Sequence, residues 1–107
     1  MATKQDFIDY VLEQLQGLGD VRARKMFGEY AVYYRDKVIG LVCDNQLFIK
    51  ITEAGNTFYP DAELGKPYRG AKDAFLISDK ISDNQWLCDL IRISEPEISL
   101  PRKRKKR

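Results

Sequence analysis

The spacing of apolar residues changes twice along this chain, and the change limits the folds available to it. Residues 3–16 repeat apolar side chains at helical spacing. Residues 21–51 instead contain short β-branched and aromatic runs separated by polar breaks, and residues 83–95 return to helical spacing. The sequence therefore predicts an α+β domain, with a helix near each end and antiparallel strands between them.

The middle of the chain predicts an antiparallel meander. Residues 36–37 and 44–45 are tight-turn candidates, because Asp and Asn tolerate the dihedral angles of turns. Strands joined by such short connections must run antiparallel. Gly28 predicts a bulge or bend in a long first strand. With a short helix at 53–58 and a further strand at 74–78, we expect a sheet of about four to five strands and a C-terminal helix packed on it.

Polar residues and a proline mark the predicted helix ends. Thr3 is the expected N-cap of the first helix. Ser82 and Gln85 have the spacing of a capping box at the start of the last helix. Pro96 ends that helix, because proline has no backbone N–H to donate.

Length and composition indicate one ordinary domain. The chain has 107 residues, 44% of them apolar, and contains no apolar run near the roughly 20 residues that span a membrane. The first residues do not resemble a signal peptide, so we expect a cytoplasmic protein. Cys43 and Cys88 are expected to be reduced core thiols. A disulfide or a redox role is the alternative, although no C-x-x-C spacing favours it.

The positive charge is concentrated in the last six residues, which are all basic: Arg102, Lys103, Arg104, Lys105, Lys106 and Arg107. The rest of the chain has 12 basic and 16 acidic residues, a net charge of −4. We therefore expect a domain over residues 1–100 and a disordered basic tail over 101–107. The tail would bind nucleic acid weakly and without sequence preference; the alternative is a solubilising end that binds nothing specific.

No catalytic or metal site is expected, because the chain has no histidine, the usual residue for proton transfer near neutral pH. Two separate cysteines cannot form a four-thiolate zinc site, and no cofactor is predicted. Asp61 with Glu63 is interpreted as a solvated pair. Gly65 and Gly70 have the spacing of phosphate-loop glycines, but the Lys-Ser/Thr that should follow is absent, so we interpret the segment as a connection.

A basic and aromatic stretch offers a further nucleic-acid hypothesis, since aromatic and basic sheet faces can bind single strands. It consists of Arg22, Arg24, Lys25, Tyr30, Tyr33 and Tyr34. The favoured interpretation is structural, with tyrosine rings lying on the sheet under a helix. A protein partner on this face is the functional alternative.

Two segments resemble the TfoX/Sxy N-terminal domain. Residues 25–33 are similar to its K-M-F-G-x-Y-x-V-Y motif, and residues 40–50 to its A-L-V-x-D-x-x-L-Y-L-K run. The chain departs from the family pattern at Glu29, Lys37 and Thr52. The matching motif residues are Lys25, Met26, Phe27, Gly28, Tyr30, Val32, Tyr33, Leu47 and Lys50.

The resemblance implies a non-enzymatic regulatory domain. Longer members of the family are bacterial regulators of competence genes that act with the cyclic-AMP receptor protein. We expect such a domain to act through a protein partner, as a monomer or a homodimer. No membrane partner is expected, because the chain has no apolar run long enough to span a bilayer. The alternative from a different class is a chaperone-like domain that binds peptides by strand addition, or a dimerisation module.

Overall fold

One antiparallel sheet forms the centre of the molecule. The computed structural model describes residues 3–26 and 29–99. Within that part of the chain the sheet has six strands in the order β1-β2-β3-β4-β6-β5. They are β1 (Val21–Met26), β2 (Glu29–Tyr34), β3 (Lys37–Cys43), β4 (Gln46–Ile49), β5 (Leu64–Gly65) and β6 (Ala74–Ile77).

Helices precede, interrupt and follow the strands: α1 (Gln5–Gln14), α2 (Glu53–Phe58) and α3 (Asn84–Ser94). Short 3-10 turns lie at Gln16–Leu18, Asp79–Ser82 and Glu95–Glu97. None of the helices in the described residues has the length and apolar character needed to span a bilayer. The α+β class, with a helix at each end of an antiparallel sheet, is thus confirmed.

The main core lies between one sheet face and the helices. Ile8 and Val11 of α1 and Leu87 and Ile91 of α3 are at most 1% exposed. They belong to the same buried cluster as strand residues from β2, β3, β4 and β6. Because neighbouring side chains on a strand point to opposite faces, the alternate strand residues form a second face, which is described below.

Two-residue turns connect β2 to β3 and β3 to β4. Arg35 and Asp36 have φ angles of 54° and 67°, and Asp44 and Asn45 have 53° and 59°. Two consecutive residues with positive φ are the geometry of the favoured two-residue hairpin, and Asp and Asn adopt it at low cost. The turn predicted at 44–45 is confirmed. The other lies at 35–36, one residue before its predicted position, because Lys37 already belongs to β3.

The predicted long first strand is two strands. Met26 is opposite Glu29 in the β1–β2 register, so the chain reverses direction between them. Gly28, the predicted bend, lies outside the described residues. This hairpin, together with the two-residue strand β5, brings the number of strands to six instead of the expected four to five.

The helix caps differ from those predicted. Lys4 occupies the N-cap position of α1 without a side-chain bond, whereas the Thr3 hydroxyl donates to Glu29 Oε1 at 2.5 Å. In α3 the cap is Asp83, whose Oδ1 accepts from the Trp86 N–H at 3.2 Å. The Ser82 hydroxyl instead donates to the carbonyl of Asp79, the first residue of the 3-10 turn that Ser82 ends. A carboxylate next to the first helical residue is the better acceptor for the free N–H groups there.

Candidate functional site

The second face of the sheet has a small apolar cluster of its own, made entirely of strand residues. Its buried members are Cys43, Phe48 and Ala74, and Leu41 and Leu76 pack against them. The register explains the arrangement, because Leu41 pairs with Phe48 and Phe48 pairs with Leu76. In the part of the chain that the structure describes, this face therefore has apolar side chains but no helix in its cluster.

The loop of residues 66–73, which joins β5 to β6, folds over part of this face. Where it begins, Gly65 lies so close to Phe48 that a Cβ there would be 3.2 Å from the Phe48 ring. Pro67 and Tyr68 then border two depressions that also share Leu41. We call the two depressions together the open-face groove.

The first depression, with a volume of about 450 Å³, is the apolar end of the groove. It is lined by Met26, Glu29, Tyr30, Leu41, Cys43, Pro67 and Tyr68. Met26 and Tyr68 are 41% and 60% exposed, although both are large apolar side chains. Exposed apolar side chains grouped in a concavity are typical of a binding surface.

The carboxylate at the apolar end, that of Glu29, already accepts hydrogen bonds within the protein. Glu29 Oε1 accepts from the Thr3 hydroxyl and from the Asp44 N–H, the latter at 3.0 Å. Burial raises the pKa of the Cys43 thiol, and the nearby charges of Glu29 and Asp44 raise it further. Cys43 is therefore a neutral thiol near pH 7 and contributes apolar surface, since the thiolate is the nucleophile and metal ligand.

The second depression, of about 630 Å³, is the basic end. Lys50 and Lys72 both line it, together with Gly70 and Ala71. The carboxylate in this depression, Asp73, accepts from Lys66 Nζ at 2.8 Å. Neither Lys50 nor Lys72 forms a salt bridge within residues 3–26 and 29–99. Burial lowers the pKa of the Lys50 ammonium, and the like charge of Lys72 lowers it further.

The tyrosines of the predicted basic and aromatic stretch do not share a face. Tyr34 is only 8% exposed and belongs to the main core, and Tyr30 packs against that core. Tyr33 points the other way, with the Arg22 guanidinium 4.9 Å from its ring centroid. That guanidinium also donates to Asp36 at 3.0 Å. The structure thus divides these residues between the two faces and leaves no row of stacking rings.

The other sequence candidates do not come together as a site. Gly65 ends β5, and the segment after Gly70 leads into strand β6, whereas a phosphate loop leads into a helix. Asp61 and Glu63 are exposed. Cys43 and Cys88 are both buried and free, as predicted. Within the described part of the chain, no group of three His, Cys, Asp or Glu side chains could hold a metal ion. The basic residues 102–107 lie outside the described residues.

Comparison with known proteins identifies the family. The TfoX N-terminal domain family matches residues 13–96. The chain belongs to this family. A relative from Spirochaeta aurantia, described as an uncharacterized 12.7 kDa protein in trpE 5'region, is 38% identical over 105 residues. The aligned region covers 98% of this chain and 91% of that relative.

The family motif residues divide between the core and the groove. Val32 and Leu47 are fully buried in the main core. Met26 and Tyr30 line the apolar end of the open-face groove, and Lys50 lines its basic end. Lys25 is exposed on β1, and Phe27 and Gly28 lie outside the described residues. The TfoX-type motif therefore contributes both to the fold and to the groove.

Sequence reasoning did not find the groove itself. Leu41 was assigned only to a strand, and Tyr68 and Lys72 only to an irregular connection. Loop residues have no periodicity that indicates which face of a sheet they cover. Pro67 and Tyr68, which line both depressions, lie in such a loop.

Proposed function

We propose that this domain is a non-enzymatic regulatory or adaptor module that acts through protein contacts at the open-face groove. The observation that carries the proposal is a sheet face with an apolar cluster, no helix in that cluster, and exposed Met26 and Tyr68. Removing such surface from water on binding is favourable by about 25 cal/mol per Å². Membership in the TfoX N-terminal domain family supports a regulatory role.

The chemistry of the groove favours binding over catalysis. The apolar end presents a thioether, an aliphatic side chain and a neutral thiol, and the carboxylate of Glu29 accepts two hydrogen bonds. The chain has no histidine to act as a general base near neutral pH. These groups can bury a partner's side chain but supply no activated nucleophile.

The test is a capture experiment from nuclease-treated native cytosol. The bait is wild-type protein or the variant Met26→Ser/Tyr68→Ala, and the captured proteins are quantified by mass spectrometry. Leu64→Ser is the matched control, because Leu64 is 50% exposed but does not line the groove. We expect at least about a tenfold loss of specific partners with the groove variant and none with the control. Equal capture by all three baits would overturn the proposal.

The basic tail is proposed to add weak affinity for nucleic acid. Its six cations can neutralise about six phosphates, which gives a slope near −5 in a plot of log affinity against log salt concentration. The test compares duplex DNA binding by the full chain and by a chain that ends at Leu100. The full chain should bind with that slope and the shortened chain should not bind. Equal binding by both would refute the role of the tail.

We propose that the domain is a monomer in solution. Two copies of a sheet could pair at an edge strand, and β1 is the longer of the two edge strands, since β5 has only two residues. Arg22, Arg24 and Lys25 are exposed on it, and like charges on facing edge strands disfavour pairing. Sedimentation velocity should give one species near 12.4 kDa. A dimer would instead favour the dimerisation hypothesis.

A further inference from the structure

The sheet register fixes the backbone distance between residues that line opposite ends of the open-face groove. At the apolar end, Cys43 pairs with Gln46. At the basic end, the Lys50 N–H donates to the carbonyl of Ile39 at 3.0 Å. Ile39 and Cys43 are four residues apart on β3. At about 3.3 Å per residue, the backbone positions of Cys43 and Lys50 are about 13 Å apart along the strand direction.

Charge differs sharply between these ends. Lys50 and Lys72 line the basic end without a salt bridge among the described residues, because the carboxylate beside them is bonded to Lys66. Two ammonium groups that share a depression repel each other, and an anion bound between them relieves that repulsion. Of the described residues that line the apolar end, none is a lysine or an arginine.

We infer that the open-face groove binds an extended peptide segment of a partner protein, with an apolar side chain and a carboxylate four residues apart. The inference rests on the proposed function and deepens it by naming the chemistry of the partner. The apolar side chain occupies the end lined by Met26, Leu41 and Cys43, and the carboxylate lies between Lys50 and Lys72. An extended chain covers the same length in four residues as β3 does.

Other occupants fit the groove less well. The chain's own basic tail has only cations to offer, and Lys50 and Lys72 repel them. A nucleic-acid strand would place phosphates along its whole length, whereas the apolar end has no basic lining residue and includes the Glu29 carboxylate. A peptide with one apolar side chain and one carboxylate matches the groove, whose lining changes once from apolar to basic along its length.

The experiment is a selection from a displayed library of random decapeptides on immobilised full-length protein. Enriched sequences should place Asp or Glu four residues from an aliphatic or aromatic residue, in one chain direction. The same selection on Lys50→Gln/Lys72→Gln should keep the apolar preference and lose the acidic one. Lys80→Gln is the matched control. Lys80 is also exposed, but it contacts the Trp86 ring of α3 on the covered face.

Titration then measures the coupling between the peptide acid and the two lysines. With one enriched peptide and isotope-labelled protein, replacing its acid by the amide should weaken binding about three- to tenfold. The Lys50→Gln/Lys72→Gln variant should lose the same factor and show no further loss with the amide peptide. Amide resonances of Leu41, Lys50 and Lys72 should shift on binding.

Each other outcome overturns the inference. The selection could enrich no peptide, keep its acidic preference in Lys50→Gln/Lys72→Gln, or place the acid at a different distance from the apolar residue. In the titration, an oligothymidine rather than the peptide could shift the amide resonances. Concentration-dependent self-association through the same resonances would identify a second copy as the occupant. If the lysine variant retains its captured partners while Met26→Ser/Tyr68→Ala loses them, the proposed function stands and the peptide chemistry is wrong. If neither variant loses partners, both proposals fail.

Discussion

A half-buried ion pair joins the β2–β3 hairpin to the end of α3. Lys37 Nζ bonds Glu95 Oε2 at 2.5 Å and the Glu95 carbonyl at 3.0 Å, with the two side chains 18% and 16% exposed. A second pair at the same hairpin, Arg22–Asp36, is 55% and 70% exposed. We expect Lys37→Met to destabilise the fold markedly and Arg22→Met to change it little.

The magnitude follows from the burial. Removing one partner of a fully buried pair costs about 3–5 kcal/mol because the other charge is left unpaired, whereas exposed pairs contribute about 0–1 kcal/mol. At the exposure of Lys37 and Glu95 we therefore expect a loss of about 2 kcal/mol in the free energy of unfolding. With a urea m-value near 1.5 kcal/mol/M, the unfolding midpoint should fall by about 1.3 M.

The assay is urea denaturation of Lys37→Met, Glu95→Gln and the double variant, with Arg22→Met as control. The double variant should be more stable than the sum of the single effects predicts, by about 1–2 kcal/mol, because no charge is then left unpaired. Arg22→Met should remain within about 0.5 kcal/mol of wild type. Additive single effects, or equal losses for Lys37→Met and Arg22→Met, would refute the reasoning from burial.

Three further predictions concern the core. Gly40→Ala should cost about 3 kcal/mol or prevent folding, as measured by urea denaturation, because its Cβ would lie 2.3 Å from the Phe48 carbonyl oxygen. Thr52→Val should cost about 2–3 kcal/mol in the same assay, because it removes the side-chain cap of α2 and leaves the fully buried Ser94 hydroxyl without its hydrogen-bond partner at 2.9 Å. Thr52→Ser should retain most of the stability, because it keeps the hydroxyl. Cys43 should react with iodoacetamide at pH 8 at least about tenfold more slowly in the folded protein than in urea, and faster as the pH rises above 9.0, because burial and two nearby carboxylates raise its pKa.

Local periodicity predicted the elements whose faces are regular. α1 and α3 place apolar residues on one side, and that spacing correctly indicates five of their buried residues: Ile8, Val11, Leu87, Leu90 and Ile91. The burial of Cys88 and Ser94 was not predicted from the spacing. The short helix α2 was predicted at its observed position, directly before Pro60, and the structure shows that the Thr52 side chain caps it. In these segments the local pattern and the tertiary packing favour the same structure.

Prediction was wrong where one pattern is compatible with two chain paths. Alternation continues through Val21–Met26 and Glu29–Tyr34, so a long bent strand and a tight hairpin have the same sequence pattern. Only the pairing of Met26 with Glu29 distinguishes them, and that pairing is visible in the folded structure but not in the spacing of the sequence. The groove was not predicted for a related reason, because residues 66–73 have no periodicity that indicates which strands they lie over. Pro67 and Tyr68 share the lining of both depressions with Leu41 of β3.

The positions where this chain departs from the family motif show how it uses the two sheet faces differently. Thr52 caps α2 and hydrogen-bonds Ser94 of α3. Lys37 pairs with Glu95, the residue directly after α3. Two of the three departures thus fix the end of α3 against the covered face, where they contribute to stability. The third, Glu29, holds Thr3 and the β3–β4 turn together at the edge of the groove.

The motif residues that remain exposed need a different explanation. Lys50 contributes little to the stability of the fold. Partial burial of its ammonium group and the nearby charge of Lys72 both lower its pKa, and no carboxylate in the described residues forms a salt bridge with it. Met26 is 41% exposed and does not belong to either buried cluster. Both residues line the open-face groove, at opposite ends. A residue that is unfavourable or neutral for folding and lies in a concavity is better explained by what it binds, so the groove is the first surface at which the function should be sought.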